Sequence, residues 1–331
     1  MEKVICFGIG LRYNILIELI LSKFEVVGLI DNDKNKQGQM INSLEVKSPE
    51  FLRGGDGGLV YDKILILPIQ NMFKIFNQLI NLGIPFEKID FYFYNGFIPQ
   101  KQIINGNLVL NGKKTRLMIE HDHDIYLLEE GLNHILGLND NSHYVLVNIG
   151  GNVADTALSY ATFENITKVY AYEPFKKTYN RGLENLKLNP NLSNKIEYNN
   201  FAISNKNGEL FLDEYDDMGA NIIFANKGSN KVVVRDVAEI FNEILAKHSE
   251  EIFLEIDCEG SEYEILEKLE AENMLNKVSV IAMEYHIHNR DYEKTIIFLE
   301  NILKRNGFMF SMAPHIHCGT IYAFNTNVLK R

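Results

Sequence analysis

The residues best able to do chemistry in this chain are acids that follow two short apolar runs in its second half. Asp257 and Glu259 follow the first run, and Glu284 with His286 follows the second. Such side chains can remove a proton from a substrate group as general bases. Ligands of open α/β sheets bind beyond the carboxyl ends of the strands. The sequence therefore predicts a catalytic group of Asp257, Glu259, Glu284 and His286.

A second set of residues suits a nucleoside-containing cofactor. Gly150 and Gly151 follow the apolar run 144–149, and Glu173 with Pro174 follows the next run. Glycines let the backbone turn sharply and approach a ligand, and their amides, with the following helix start, can receive a carboxylate. Glu173 can accept two ribose hydroxyl protons, and Pro174 fixes the turn. A purely structural turn is the alternative, but polar residues recur at four strand ends, which favours a ligand site.

Five segments carry a more specific resemblance. In order and spacing, the chain from about 144 to 324 resembles FkbM-type methyltransferases through VLVNIGGNVADTALSYA, VYAYEP, FAISNKNGELFL, IFLEIDCEGSEYEIL and IAMEYH. The resemblance implies S-adenosylmethionine as the cofactor. It also implies a cofactor site made of the first loops and of a segment near the adenine, comprising Asn148, Gly150, Gly151, Asn152, Glu173, Pro174, Asn200, Phe201 and Ala202.

Three positions depart from the family pattern. The family usually has Asp at the position of Asn148, Gly near Ala154 and Lys at the position of Glu255. The first departure removes a negative charge from the cofactor site. The third reverses a local charge, so it bears on the choice of acceptor and on activity itself.

Composition limits the partners and the compartment. The chain has 331 residues and a formal net charge of −11. This charge argues against a nucleic-acid backbone as the main partner. No apolar stretch is long enough to span a bilayer, so no membrane span is expected. Cys6, Cys258 and Cys318 form no CxxC pair, which predicts no structural metal site and favours a reducing cytoplasm.

The elements that must position these residues alternate between strand and helix. This order predicts an α/β fold with two Rossmann-like domains, since βαβ units build parallel sheets. The C-terminal domain is expected to be a seven-strand methyltransferase sheet with an antiparallel last strand. The predicted boundaries are 1–98 for a Rossmann-like module, 99–142 for a hairpin and helix connector, and 143–331 for the methyltransferase domain.

The first module has a weaker signal for dinucleotide binding. Gly8 and Gly10 follow its first strand, and Asp31 lies at about the distance expected of a ribose ligand. Tyr13 stands where a third glycine would be needed. The module resembles those of bacterial sugar- and polysaccharide-modifying proteins. A structural or partner-binding role is favoured over a redox site.

Several other features allow simpler interpretations. Asn111-Gly112 predicts a tight hairpin turn. The segment 121–124, His-Asp-His-Asp, is interpreted as a solvated hairpin end rather than a metal site. His315 and His317 can share one strand face, and either line the site or belong to an ordinary edge loop.

The function predicted from these features is S-adenosylmethionine-dependent methyl transfer to a hydroxyl oxygen of a sugar, nucleotide sugar or glycan precursor, as in polysaccharide biosynthesis. The first alternative is a non-catalytic cofactor-binding or scaffold protein in a glycan pathway, motivated by Asn148 and Glu255. The second is a nicotinamide-dependent sugar oxidoreductase, which lacks an evident Tyr-x-x-x-Lys pair. The sequence is compatible with a homo-oligomer.

Overall fold

A computed structural model describes residues 1–53, 58–68, 70–130, 138, 141–212, 230–287, 292–314 and 318–328. His315 and His317 lie outside the described residues, as do residues 131–137 and 139–140 of the predicted connector. The chain divides into two compact units, Met1–Glu130 and Gly131–Arg331. The domain boundaries expected from the sequence remain a prediction.

The first unit is built on a mostly parallel sheet. Its strands follow the order β3-β4-β2-β1-β5-β6, in which only the β3–β4 pair is antiparallel. A separate antiparallel sheet has the order β7-β8-β9. The elements are β1 (Glu2–Phe7), α1 (Leu11–Lys23), β2 (Phe24–Ile30), β3 (Met40–Ile41), β4 (Leu44–Lys47), β5 (Lys63–Ile66), α2 (Met72–Asn81), β6 (Ile89–Phe91), β7 (Gln100–Ile104), β8 (Asn107–Asn111), β9 (Arg116–Ile119) and α3 (Asp122–Glu130).

The loop after β1 is closed by the protein itself. Oδ2 of Asp31 accepts a 2.7 Å hydrogen bond from the backbone N–H of Ile9 and a 3.1 Å bond from Nζ of Lys36. Asp31 is buried. The carboxylate that sequence spacing assigned to a ribose therefore binds the glycine loop in this structure.

Two local expectations in this unit were wrong. The turn between β8 and β9 spans four residues, with Gly112 N–H donating to the Thr115 carbonyl, so it is not a two-residue Asn-Gly turn. The segment 121–124 begins helix α3 rather than ending a hairpin. There Asp124 is buried and accepts bonds from the backbone N–H groups of Glu120 and His121, because helix starts need acceptors for their free amides.

The second unit contains the larger sheet. Its elements are β10 (Tyr144–Ile149), α4 (Asp155–Ala161), β11 (Ile166–Tyr172), α5 (Lys176–Leu188), α6 (Pro190–Ser193), β12 (Ile196–Asn199), β13 (Ala202–Ser204), β14 (Gly208–Leu212), β15 (Asn230–Asp236), α7 (Val237–Leu245), β16 (Glu251–Ile256), α8 (Glu262–Ala271), β17 (Val278–His286), α9 (Tyr292–Arg305), β18 (Phe308–Pro314) and β19 (Cys318–Asn325).

The seven strands of this sheet follow the order β12-β11-β10-β16-β17-β19-β18. Strand β19 is antiparallel to both of its neighbours, and the other pairs are parallel. Strand order reverses between β10 and β16, where ligands of open sheets bind. The expected α/β class, with two Rossmann-like domains and an antiparallel last strand, is confirmed.

Alternation along the central strands decides which residues form the core and which reach the site. Ile252, Leu254 and Ile256 of β16 belong to the main core cluster of this unit. Because successive side chains on a strand point to opposite faces, Glu255 points away from that cluster. On β17, Met283 and Tyr285 are core residues, so Glu284 and His286 lie on the same face as Glu255.

The second unit also holds elements that the sequence did not predict. Strands β13 and β15 pair with β14 in a small separate sheet. Strand β13 is short and β15 is flanked by polar residues, so hydrophobic periodicity is a weak signal for these two strands. Strand β17 runs to His286 rather than to Met283. Among the helices of the described residues, none combines the length and apolar character that crossing a bilayer requires.

We predict that Gly182→Ala destabilises the second unit. A β-carbon at Gly182 would lie 2.5–2.7 Å from two ring atoms and the hydroxyl oxygen of Tyr198, whose ring stacks on Tyr179. The added methyl group overpacks this contact, and the higher helix propensity of alanine offsets part of the cost. The net effect should be to lower the free energy of unfolding by about 1–2 kcal/mol. Denaturant unfolding would measure this. Gly208→Ala is the control, since its β-carbon would meet nothing within 4 Å; equal effects would contradict the packing argument.

Candidate active site

The turn after β10 is held against the end of β16. Gly150 has φ +94°, and a β-carbon there would lie 1.7 Å from the carbonyl oxygen of Asp257. The N–H of Asp257 donates to the Ile149 carbonyl at 2.8 Å. Only glycine permits both this backbone conformation and this approach. The predicted glycine turn and the predicted acid therefore meet directly.

The amides of the turn are used differently from the expectation. The N–H groups of Gly150 and Gly151 both donate to the Tyr172 carbonyl, at 3.1 and 2.8 Å. These two bonds hold the turn onto β11. The assignment of these amides to the carboxylate of a cofactor stays a prediction.

Glu173 joins the first two strand ends. Its Oε2 accepts from the backbone N–H of Asn152 at 3.0 Å, and its Oε1 accepts from that of Phe175 at 2.8 Å. The residue is buried. A carboxylate offers about four acceptor sites, so these two backbone bonds do not by themselves exhaust it.

The segment after β12 supports the same corner. Nδ2 of Asn200 donates to the carbonyls of Glu173 and Pro174, at 2.9 and 3.0 Å. The Phe201 ring lies 5.2 Å from the Tyr172 ring between centroids, and Ala202 begins β13. The structure thus joins four predicted residues by hydrogen bonds at the ends of β10, β11 and β12: Asn152, Glu173, Pro174 and Asn200. Phe201 and Ala202 follow directly in the chain.

Two departures from the family pattern contact each other. Asn148 and Glu255 are register partners on β10 and β16, and Nδ2 of Asn148 donates to Oε2 of Glu255. Asn148 is fully buried. The sequence places these residues 107 positions apart, so only the sheet register reveals the contact.

The four predicted catalytic residues also gather at this edge of the sheet. Nε2 of His286 lies 3.5 Å from Oε2 of Glu259 and 3.7 Å from Oε1 of Glu284. One side-chain oxygen each of Asp257 and Glu259 and one ring nitrogen of His286, atoms that could bind a metal ion, all lie within 4.8 Å of one another. Glu259 has φ +56°. The chain therefore bends shortly after Asp257, which brings the Glu259 carboxylate to the imidazole of His286.

Asp257 has a proton affinity suited to a base. It is accessible to solvent, but partial burial of its carboxyl group, and then the charge of Glu284, raise its pKa to about 7. His286 opposes this shift, and Glu259 adds to it. Like charges and desolvation both disfavour the ionised form of a carboxyl group. Near neutral pH, Asp257 can both hold and release a proton.

His286 is charged in the same range. Its burial lowers the imidazole pKa, but the 2.7 Å contact between Nδ1 and Oε1 of Glu262, with the charges of Glu262, Glu259 and Asp257, raises it to about 9 overall. An imidazolium donates from both nitrogens and cannot accept or bind a metal ion. The spacing of Asp257, Glu259 and His286 is therefore explained by ion pairing.

Three residues of the site were not predicted from the sequence. Glu262 is buried in the first turn of α8 and bonds Nδ1 of His286; an acid at a helix start is common and gives no signal of such a role. Cys318 is the register partner of His286 and bonds Glu284. The hydroxyl of Tyr198 donates to the Asn152 carbonyl. An antiparallel pairing of β17 with β19 is the signal that would have found Cys318.

Comparisons with known proteins match a different family model in each part of the chain. Residues 145–310 match the family model described as the methyltransferase FkbM domain. Residues 1–90 match a different model, described as C2185-like, N-terminal. The resemblance of the first module to sugar-modifying proteins is therefore not confirmed. No curated protein matches the chain.

Similar solved structures include the FkbM methyltransferase of Methylobacillus flagellatus KT. It has 13% identity and a TM-score of 0.42, and the match covers 98% of this chain and 90% of that chain. Another is TrmK of M. capricolum, solved in complex with S-adenosyl-homocysteine. It has 17% identity and a TM-score of 0.33, with coverage of 57% of this chain and 65% of that chain.

We predict that Asp257→Asn stabilises the protein more at pH 8 than at pH 5. The pKa of Asp257 is raised from 3.8 to about 7 on folding, so the wild type loses stability as pH rises through this window. The variant cannot ionise there. After a discount for solvent access, the relative gain should be about 1 kcal/mol.

Denaturant unfolding at both pH values measures this difference. Glu164→Gln, at an exposed position of the same unit, is the control and should show no such change. A gain that is equal at pH 5 and pH 8 would contradict the raised pKa.

Proposed function

This chain belongs to the FkbM methyltransferase family, and we propose that it transfers a methyl group from S-adenosylmethionine to a hydroxyl of a sugar, nucleotide sugar or glycan precursor. The observation that carries the proposal is the meeting of three strand ends. The Gly150 turn touches the Asp257 backbone, and the amide of Asn152 binds Glu173. A cofactor-holding corner and a proton acceptor thus share one edge.

The residues present fit the cofactor at the corner of β10 and β11. Glu173 is a buried carboxylate held by two backbone amides, which suits the two hydroxyls of a ribose. Gly151 lets the turn pack closely against the protein, since a β-carbon there would lie 3.0 Å from the Tyr198 ring. We assign cofactor contacts to this turn, Glu173-Pro174 and Asn200–Ala202, with Asn148 beneath them. When bound, S-adenosylmethionine supplies an electrophilic methyl group on a sulfonium.

We assign the general base to Asp257. A hydroxyl is a poor nucleophile until its proton leaves, and a base works best with a pKa near the working pH. Burial and Glu284 give Asp257 a pKa of about 7. The adjacent Glu284 lies on the neighbouring strand β17 and is the second candidate for the same proton.

His286 serves the acceptor in another way. Because its pKa is about 9, it is protonated at neutral pH and donates hydrogen bonds. With Nδ1 held by Glu262, its Nε2 points among Glu259 and Glu284. We propose that His286 orients these carboxylates and the acceptor hydroxyl, which brings the acceptor into line for transfer.

The cysteines bear on the compartment in which the reaction takes place. Cys6, Cys258 and Cys318 are free thiols, as expected in a reducing compartment. We therefore place the protein in the cytoplasm. The role in polysaccharide biosynthesis is proposed from the sugar or glycan acceptor, not from the cysteines. The first module, 1–98, is proposed to bind a partner or stabilise the protein rather than to turn over a nicotinamide, because Asp31 is already bonded to its own loop.

We predict that wild-type protein binds S-adenosylmethionine at micromolar strength and that Glu173→Ala weakens this binding by about 1–3 kcal/mol, the range for hydrogen bonds to a charged group. Titration calorimetry is the measurement. Glu184→Ala changes an exposed glutamate of α5 that pairs with Lys187, and should leave the affinity unchanged. A folded wild type that shows no binding would refute the cofactor assignment.

We predict that Asp257→Asn lowers turnover by roughly 10²–10⁴-fold, the range for removing a general base, while cofactor affinity stays close to that of wild type. Turnover would be measured against a panel of sugars and nucleotide sugars. Glu284→Gln tests the second candidate in the same way. Near-wild-type turnover in both variants would remove both carboxylates from the mechanism.

A further inference from the structure

Asn148 contains a buried acceptor that needs a donor. Its Nδ2 donates to Glu255, but within the described part of the chain its Oδ1 is buried and has no hydrogen-bond partner. Buried polar atoms in native proteins are normally paired, and an unpaired one is costly. The side chain that already touches the other end of this amide is the carboxyl group of Glu255.

A protonated carboxyl group complements a primary amide. It has one O–H donor and one carbonyl acceptor, whereas a carboxylate can only accept. We infer that Glu255 carries its proton in the folded protein and pairs with both polar atoms of Asn148, so that this neutral acid–amide pair positions the cofactor turn and Asp257. Glu255 is thus a positioning residue, since it acts through its neighbours.

The surroundings of Glu255 favour the neutral form. Acids act on it from three elements: Asp155 at the start of α4, Asp257 after β16 and Glu284 on β17. The Tyr160 hydroxyl of α4 also interacts with it. Burial, and then the charge of Asp257, raise the pKa of Glu255 well above its usual range, against the opposing bond from Asn148. An ionised Glu255 would add further negative charge to this group of acids.

The position of the pair explains its effect. Asn148 and Glu255 are cross-strand partners, and Ile149 and Ile256 are the next pair. The chain then reaches Gly150 on one side and Asp257 on the other, which are in backbone contact. Pairing of the Asn148 and Glu255 side chains fixes both strand ends, because a strand pair is stabilised by its facing side chains.

The inference that Glu255 is protonated does not depend on the proposed function. The inference that this proton affects cofactor affinity does rest on the proposed function. Two variants separate the roles. Glu255→Gln keeps one donor and one acceptor and cannot ionise, whereas Glu255→Met keeps the length of the side chain and loses both hydrogen bonds. The full-length protein is used in each case.

The first measurement is carbon-13 NMR of glutamate carboxyl groups, with the Glu255 resonance assigned by its loss in Glu255→Gln. We expect the shift of a protonated acid at pH 7. The second is S-adenosylmethionine affinity. We expect Glu255→Met to weaken it about tenfold and Glu255→Gln to restore it to near wild type. In a pH series, affinity should fall in the wild type as the Glu255 resonance changes to that of the ionised acid, and should fall less in Glu255→Gln, whose pair cannot lose a proton.

Each outcome decides between the hypotheses. An ionised Glu255 resonance at pH 7 overturns the inference, even if the cofactor binds. A protonated resonance with equally weak binding by both variants overturns the positioning role. A protonated resonance in a wild type that binds no cofactor supports the pair and refutes the proposed function. If Glu255→Met does not fold, the resonance and the pH dependence of wild type against Glu255→Gln still decide.

Discussion

Gly150 lies so close to the backbone of Asp257 that a β-carbon would sit 1.7 Å from the Asp257 carbonyl oxygen. This approach joins the two central strands of the sheet at the point where strand order reverses, and every other part of the site is arranged around it. The same turn is tied to β11 through the Tyr172 carbonyl and to Glu173 through the Asn152 amide. A side chain at position 150 would separate the strand ends, and with them the corner that suits a cofactor and the acid that suits a base.

The electrostatics of this edge follow from crowding acids around one imidazole. Several carboxyl groups within a few ångströms cannot all be ionised without cost. Part of that cost is avoided by the proton on His286, held by Glu262, and part by the raised proton affinity of Asp257. A neutral Glu255 would complete this balance beneath the site. In this view Asn148 and Glu255 compensate for each other, since the amide and the protonated acid together carry no net charge.

The two units use similar backbone devices for different ends. In the first unit Gly8 also follows the first strand with a positive φ, and a β-carbon there would lie 2.2 Å from Cγ of Pro68. The acid after its second strand, Asp31, binds the loop amide of Ile9 and Lys36. In the second unit the corresponding acid, Glu173, also binds a loop amide. A glycine turn and an acid after the next strand therefore stabilise a Rossmann-like corner in both units, and it is the family match that distinguishes the two.

The sequence by itself determined the α/β class, the alternation of strands and helices, and the three acids and one imidazole that gather at one edge. It could do so because alternation, glycine turns and strand-end polarity are local signals. It did not determine which atoms meet. The contact of Asn148 with Glu255 spans 107 positions, and the partnership of Cys318 with His286 depends on an antiparallel register. The buried role of Glu262 was hidden because a helix start also favours an acid. Proton affinities were equally out of reach, since desolvation and charge crowding depend on distances that only the packed sheet fixes.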